Sequence, residues 1–365
     1  MTNRKTHDGD SVHGLKKSAP NIGPSLRSLK SISSLIQHVN MSAAGIKIVF
    51  GGSRFTDSPV DDVEDVRQWL QTLEELGIRE IDTAEKYMYG SSEELLGKAG
   101  APLAFTISTK QSGGFKDHQP ATQDHVLECG KASLQRLQTD SVDIYYLHAP
   151  DRRIPWKDTL AGIDALYKQG AFKRFGLSNF RAADIDEVVQ VARDNNFVLP
   201  SVYQGNYSAV ARLVEDEIFP ALRRHGMAFY AYSPIAGGFL SKSKKGLTDV
   251  EGRFGQDTSL ARLYNGMYNR PSFVAALGVW EKIAQAEGVS RAELAYRWVV
   301  HHSKLRRDLG DAVIVGARTH EQLGETVRAI KKGPLSDSAV KRIEEVWESV
   351  KGEALLDHWE IWGKF

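Results

Sequence analysis

Eight repeats of one pattern constrain the fold more than any other feature of this sequence. In each repeat a short apolar run is followed by a longer segment with apolar residues at helical spacing. After the first run, for example, Val66, Leu70, Leu73 and Leu76 share one helical face. Runs that are apolar throughout are typical of parallel strands buried on both faces. The predicted strands are 46–50, 80–82, 104–109, 142–148, 172–178, 201–205, 227–233 and 312–316.

Strands that alternate with helices predict an α/β protein with a parallel sheet. Right-handed crossovers joining eight such strands favour a closed (β/α)8 TIM barrel, and periodicity alone leaves a doubly wound open sheet as the alternative. In a barrel of this type the functional groups lie on the loops that follow the carboxyl ends of the strands. This rule gives a place to look for the site.

Composition excludes several classes of protein. Of 365 residues, 41% are hydrophobic and 25% charged, which is typical of a soluble globular chain, and the net charge of +1 argues against electrostatic binding to nucleic acid or to a membrane surface. No run of eighteen apolar residues predicts a membrane span. The single cysteine, Cys129, permits no internal disulfide and no thiolate zinc cluster, which fits a reducing compartment, so we expect a cytoplasmic protein.

The chain divides into three predicted parts. Residues 1–44 are rich in Ser and Lys, which favours a disordered N-terminal extension over a targeting peptide. Asp8 and Asp10 count against a mitochondrial transit sequence, which is usually poor in acidic residues. The extension nevertheless leaves a mitochondrial location open. Residues 45–350 form the barrel, and residues 351–365 form a C-terminal tail near the substrate mouth.

Polar residues stand at the ends of successive predicted strands. Asp82, Lys110 and His148 end or follow strands two, three and four. Each alone has an ordinary structural explanation, but their joint appearance at one end of the barrel indicates a site. A buried lysine beside an aspartate stays protonated, and its charge near a tyrosine lowers the pKa of the phenol. Such a tyrosine can donate its proton to a developing alkoxide. An alkoxide forms when hydride adds to a carbonyl group, and the hydride must come from a cofactor.

The motifs around these residues resemble those of the aldo-keto reductases, most closely the aflatoxin-aldehyde reductase branch. They are "IDTAEKY" (81–87), "STK" (108–110), "VDIYYLHAPD" (142–151), "GLSNF" (176–180) and "YAYSPIAGG" (230–238). The resemblance implies that Tyr87, five residues after Asp82, is the general acid. It further implies that Asp82 and Lys110 tune this acid and that His148 orients the carbonyl.

The resemblance also implies an NADPH/NADP site, with Arg318 suited to a dianionic 2′-phosphate. The nicotinamide carboxamide is expected at Ser178, Asn179 and Gln204, with the ring stacked on Tyr232. The pyrophosphate is expected on the backbone of Ser233, Ile235 and Gly237. The adenosine and its 2′-phosphate are expected at Gly316, Arg318, Gln322, Glu325 and Thr326, although the family usually has Asn where Thr326 stands.

Two segments keep two interpretations each. In the long basic loop 242–270, Arg262, Tyr264 and Tyr268 either reach over the substrate or form plain surface. In the tail, Trp359, Trp362 and Phe365 either roof an apolar pocket or pack on the barrel.

The sequence thus predicts an NADP-dependent enzyme that reduces aldehydes or ketones, with dicarbonyls and semialdehydes among the candidates. An NADPH-binding sensor or partner subunit with little turnover is the alternative. A metal-dependent barrel hydrolase is disfavoured because strand ends lack a carboxylate and histidine cluster, and the adjacent His301 and His302 make a poor metal pair. We therefore predict no metal. The expected partner is a small carbonyl compound. The sequence itself does not reveal the oligomeric state, but the resemblance implies that a homodimer is possible, since proteins of the aflatoxin-aldehyde reductase branch often form dimers.

Overall fold

The computed structural model describes residues 45–55, 62–115, 117–243, 254 and 258–362. The predicted extension 1–44, Phe365 and most of the stretch 244–257 lie outside the described residues.

Eight parallel strands form a closed barrel in the order β1 to β8, with β8 paired to β1. This confirms the predicted (β/α)8 fold and excludes the open sheet. The strands are β1 (Lys47–Gly51), β2 (Glu80–Asp82), β3 (Thr106–Gln111), β4 (Val142–Leu147), β5 (Phe172–Ser178), β6 (Pro200–Asn206), β7 (Ala228–Tyr232) and β8 (Ala312–Val315).

Helices lie between the strands and after the last one. They are α1 (Val63–Glu75), α2 (Ser91–Lys98), α3 (Gln123–Leu137), α4 (Trp156–Lys168), α5 (Ala182–Asp194), α6 (Val214–Glu217), α7 (Phe219–Arg224), α8 (Ser259–Tyr268), α9 (Pro271–Glu287), α10 (Arg291–His301), α11 (His320–Lys331), α12 (Asp337–Val350) and α13 (Trp359–Trp362). None of them is long and apolar enough to span a bilayer, as far as the described part of the chain extends.

The first helix shows how the sequence specifies these elements. Asp62 caps α1 by accepting a hydrogen bond from the Asp65 backbone N–H at 2.8 Å. Val66, Leu70 and Leu73 are buried, as predicted, together with Trp69, whose ring stacks on Phe50 of β1. Burying each such side chain contributes about 1.5–3 kcal/mol.

Ion pairs fill the barrel at the amino ends of the strands. Lys47 contacts Glu80 at 2.8 Å, and Arg174 contacts Asp143 at 2.6 Å. Both cations also donate to the Tyr230 hydroxyl at 3.2 Å. The amino ends of the strands are thus occupied by side chains that pair with one another.

One local prediction was wrong. Strand β3 begins at Thr106 and ends at Gln111, so Lys110 lies within the strand and does not follow it.

Helix α2 begins after Gly90, which has a left-handed φ of +94°. The hydroxyl of Ser92, in the first turn of this helix, is buried and donates to the Gly52 carbonyl at 2.9 Å.

Candidate active site

The centre of the site is an ion pair inside the barrel. Lys110 is fully buried, and its Nζ lies 2.6 Å from Asp82 Oδ2 and 2.7 Å from the Thr83 carbonyl. The other oxygen of Asp82 accepts from Gln204 Nε2 at 2.9 Å. The Tyr87 hydroxyl lies 3.5 Å from the same ammonium. The structure therefore brings together three of the four predicted catalytic residues around one buried positive charge.

His148 completes the predicted set. It follows β4 directly, and its backbone N–H donates to the Gln111 carbonyl at 2.9 Å. Its ring meets the Tyr87 ring edge-on, with 5.9 Å between the centroids. The imidazole is thus held beside the phenol at the carboxyl ends of the strands.

The protonation states follow from burial and from the lysine. Burial lowers the pKa of His148 well below its ordinary value, and the Lys110 charge lowers it further, so the imidazole is neutral. Burial alone would lower the pKa of Lys110, but the contacts with Asp82 and Tyr87 together raise it above its ordinary value. The ammonium therefore keeps its charge, as predicted.

The expected direction for Tyr87 was wrong. Burial raises the pKa of this phenol above its ordinary value, and the Lys110 charge opposes that rise without cancelling it. Tyr87 is therefore a protonated phenol at neutral pH.

The residues predicted to hold the nicotinamide surround this centre. Asn179 has a left-handed φ of +62°, and its amide nitrogen donates to the His148 carbonyl at 2.9 Å and to Ser178 Oγ at 3.2 Å. Its amide oxygen accepts from the Tyr232 hydroxyl at 2.8 Å. Asn179 thus ties Tyr232 to His148, a structural role that the sequence did not predict.

The segment after β7 has an unusual backbone. Ser233, Ala236 and Gly237 all have left-handed φ values, of +56°, +52° and +65°. A Cβ on Gly237 would lie 2.0 Å from the Tyr264 ring, so this ring packs directly on the loop. Since Tyr264 is buried, its interpretation as plain surface is wrong. The predicted pyrophosphate segment is therefore a tightly shaped turn.

The predicted adenosine region surrounds the start of α11. Gly316 and Arg318 are exposed, and the Arg318 backbone N–H donates to Gln322 Oε1 at 2.8 Å. Thr319 caps the helix by accepting from the Gln322 backbone N–H at 3.2 Å. Glu325, one turn on, is also exposed, whereas Thr326 is buried on the inner face of the helix.

Comparison with known proteins agrees with this geometry. The sequence model of the aldo/keto reductase family matches residues 47–348. The chain belongs to the aldo/keto reductase family. Oxidoreductase sirO of Leptosphaeria maculans is 39% identical over 316 residues, which cover 84% of this chain and 95% of that protein. Aflatoxin B1 aldehyde reductase member 4 of Homo sapiens is 37% identical over 287 residues, 75% of this chain and 86% of that protein. Member 2 from the same organism is 37% identical over 293 residues, 76% of this chain and 80% of that protein. These findings confirm the predicted family and its likeness to the aflatoxin aldehyde reductases.

One wall of the site in this aldo/keto reductase was not predicted. The Phe115 ring meets His148 edge-on at a centroid distance of 5.3 Å, and it meets Trp359 of the tail at 5.1 Å. Trp362 lies against the same ring at 6.3 Å. Phe115 follows Gly113 and Gly114, whose lack of Cβ lets the loop pack on the backbone of residues 149–151. That glycine pair was the one sequence signal for this loop.

The tail also contacts Tyr232, the residue predicted to stack on the nicotinamide. The His358 ring lies 4.8 Å from that of Tyr232 and 5.5 Å from that of Tyr264, while the next residue, Trp359, contacts Phe115. Two adjacent tail residues therefore contact opposite walls of the mouth. This arrangement supports the roof interpretation for Trp359.

Proposed function

We propose that this aldo/keto reductase uses NADPH to reduce aldehydes or ketones to alcohols, with Tyr87 as the general acid. The observation that carries the proposal is the Tyr87 hydroxyl beside the buried Lys110–Asp82 pair and edge-on to His148. When bound, the nicotinamide cofactor supplies the hydride.

The protein's own groups supply the proton and the charge stabilisation. Tyr87 is protonated at neutral pH and can donate its hydroxyl proton to the carbonyl oxygen as that oxygen gains negative charge. The neutral imidazole of His148 carries one N–H, which can donate a hydrogen bond to the same oxygen. The Lys110 ammonium then favours the phenolate left on Tyr87.

The chemistry of the donor set fits a nicotinamide carboxamide. Gln204 uses its amide nitrogen on Asp82, which leaves its amide oxygen as an acceptor for the carboxamide NH2. Ser178 Oγ accepts from Asn179 and keeps its own proton to donate to the carboxamide oxygen. These complementary roles support Ser178 and Gln204 as the groups that would hold the carboxamide.

The start of α11 fits a phosphate. The first turn of a helix offers backbone N–H groups and a favourable dipole to an anion, and Arg318 adds a full positive charge there. These features support NADPH over NADH.

The proposed substrates are small aldehydes and ketones, with dicarbonyls and semialdehydes as specific candidates. The apolar wall of Phe115 and Trp359 beside His148 supports substrates with an apolar group next to the carbonyl. The similar human proteins carry the name aflatoxin B1 aldehyde reductase. The cytoplasmic location and the homodimer stay predictions.

The test is the consumption of NADPH in the presence of 4-nitrobenzaldehyde, measured as the loss of NADPH absorbance. Tyr87→Phe should lower kcat by about 10²–10⁴-fold. Tyr89→Phe is the matched control, because Tyr89 is 85% exposed and should keep full activity. Undiminished turnover in Tyr87→Phe would rule out Tyr87 as the general acid. Tryptophan quenching by NADPH without turnover of any carbonyl in a broad panel would favour the sensor instead.

A further inference from the structure

The chain between β2 and Tyr87 continues to follow β3 after β2 has ended. The Thr83 N–H donates to the Ser108 carbonyl at 2.8 Å, and the Glu85 N–H donates to the Lys110 carbonyl at 3.1 Å. Every second residue of this segment is therefore attached to the strand that carries Lys110.

The side chain of Glu85 extends this attachment by one more step. Its Oε2 accepts from the Ser112 N–H at 3.1 Å and from Ser112 Oγ at 3.0 Å. Ser112 is buried, and hydrogen bonds to a carboxylate are about twice as strong as those between neutral groups. This pair joins the loop after β2 to the loop after β3 two residues before Tyr87. Lys86 adds an exposed ion pair to Asp117 at 2.7 Å between the same two loops.

The backbone beyond Tyr87 is in an unfavourable conformation. Met88 and Tyr89 have φ values of +49° and +56°, and a left-handed conformation costs a residue with a side chain roughly 1–2 kcal/mol. Both side chains are exposed. Glu85, two residues before Tyr87, is by contrast attached to the segment after β3.

Tyr87 has little tolerance for displacement. Its hydroxyl lies 3.5 Å from Lys110 Nζ, which is already at the limit of a hydrogen bond. A shift of about 1 Å in a reacting group can cost on the order of 10²-fold in rate. A loosened loop would thus separate the acid from its charge partner.

We infer that Glu85, through its paired hydrogen bonds to Ser112, is a positioning residue that holds Tyr87 in place to donate its proton. This inference rests on the proposed carbonyl reduction. Glu85 does not touch the reacting atoms; it acts through the loop that carries Tyr87.

The test is the dependence of the rate on substrate electronics. A series of para-substituted benzaldehydes, from 4-methoxy to 4-nitro, is reduced in single turnovers at saturating NADPH. With a poorly placed acid, the carbonyl oxygen carries more negative charge in the transition state, so electron withdrawal accelerates the reaction more strongly. A merely structural loss of active enzyme would lower every rate by the same factor.

The variants are Glu85→Ala, Glu85→Gln and Ser112→Ala, with Glu94→Ala as the matched control. Glu94 is exposed and pairs with Lys98 at 2.6 Å, away from Tyr87. Glu85→Ala should slow 4-methoxybenzaldehyde about 30–100-fold and 4-nitrobenzaldehyde less than about 10-fold, with NADPH binding unchanged. Glu85→Gln keeps an acceptor oxygen and should recover most of the loss, and the control should match wild type.

Each outcome decides the matter. A steeper electronic dependence in Glu85→Ala, with partial steepening in Ser112→Ala, supports the inference. If Glu85→Ala does not fold, Ser112→Ala decides alone, because it removes only the hydroxyl donor. An unchanged dependence in an active variant overturns the positioning role. Absence of any turnover in the wild type would instead overturn the proposed function.

Discussion

Replacing Lys110 by methionine tests the buried ion pair most directly. The ammonium is fully buried and contacts Asp82 Oδ2 at 2.6 Å. Without it, the buried Asp82 carboxylate retains the single neutral donor of Gln204 at 2.9 Å. Breaking a buried pair by removing one partner costs about 3–5 kcal/mol. For a protein of 365 residues, that loss lowers the Tm by roughly 4–7 °C.

The double variant Asp82→Asn with Lys110→Met removes both charges together. Replacing a whole buried pair by apolar groups is often neutral for stability, but here a buried Asn amide remains and the Thr83 carbonyl loses its hydrogen bond from Lys110. We therefore expect the double variant to lose clearly less stability than the two single variants added together, without full recovery of the wild-type value. Activity should not return, because Tyr87 has lost the positive charge that favours its phenolate. We expect kcat at least about 100-fold below wild type in Lys110→Met and in the double variant.

The assay combines guanidinium unfolding, NADPH binding and single-turnover reduction on the wild type, both single variants and the double variant. The unfolding midpoints give the coupling free energy between the two positions. A double variant as unstable as the two single losses added together would refute the coupling. Full activity in Lys110→Met would refute the role of its charge.

Three further predictions test the turn, the tail and the phosphate region. Tyr89→Gly should raise stability by about 0.5–1 kcal/mol and leave activity intact, since Tyr89 is exposed at φ +56°; a loss of turnover would contradict the assignment of Tyr87 alone as the acid. Burial raises the pKa of Asp357 to about 7 from 3.8, so the stability present at pH 4 falls by about 1.4 kcal/mol per pH unit as the pH rises towards 7. Hydrogen exchange of residues 355–362, corrected for intrinsic rates, should therefore show looser tail packing at pH 8 than at pH 5, and Asp357→Asn should abolish the difference. Arg318→Ala should raise the KM for NADPH about 10–100-fold with little change for NADH, and equal losses for both cofactors would contradict a 2′-phosphate contact.

The barrel was predictable because its signal is periodic. Apolar runs at eight positions, each followed by a helical pattern, fit one closed topology, and the carboxyl-end rule then brings Asp82, Lys110 and His148 together. The rule needs only the order of strands, not their detailed geometry. This is why the placement of these three side chains could be anticipated from sequence.

Strand β3 shows where local reasoning fails. Ala104 and Phe105 are apolar and were expected to begin the strand, but both precede it in the structure. Lys110 and Gln111 are polar and were expected in a loop, yet both are buried in the strand. A buried lysine is tolerated there because Asp82 lies on the neighbouring strand, and that partner is invisible to a local pattern.

The contact between the β3 loop and the tail could not be derived from spacing. Phe115 and Trp359 are far apart in sequence, and their rings meet because the barrel brings the loop and the tail to the same mouth. Nothing local distinguishes Trp359 as a roof residue from Trp359 as a packing residue. Only the tertiary structure, in which Trp359 meets Phe115 beside His148, supports the roof interpretation.

Tyr87 shows why the direction of a pKa shift needs the structure. Proximity to Lys110 argues for a lower pKa, but burial outweighs this charge and the pKa is raised. A phenol in this state keeps its proton across the physiological range, as an acid must before the substrate gains charge. In the proposed reduction the lysine would act mainly once the proton has left, because its attraction to the phenolate is strongest in a buried site. On this proposal the ion pair would stabilise the transition state more than the resting enzyme, and this is why removing Lys110 should lower kcat.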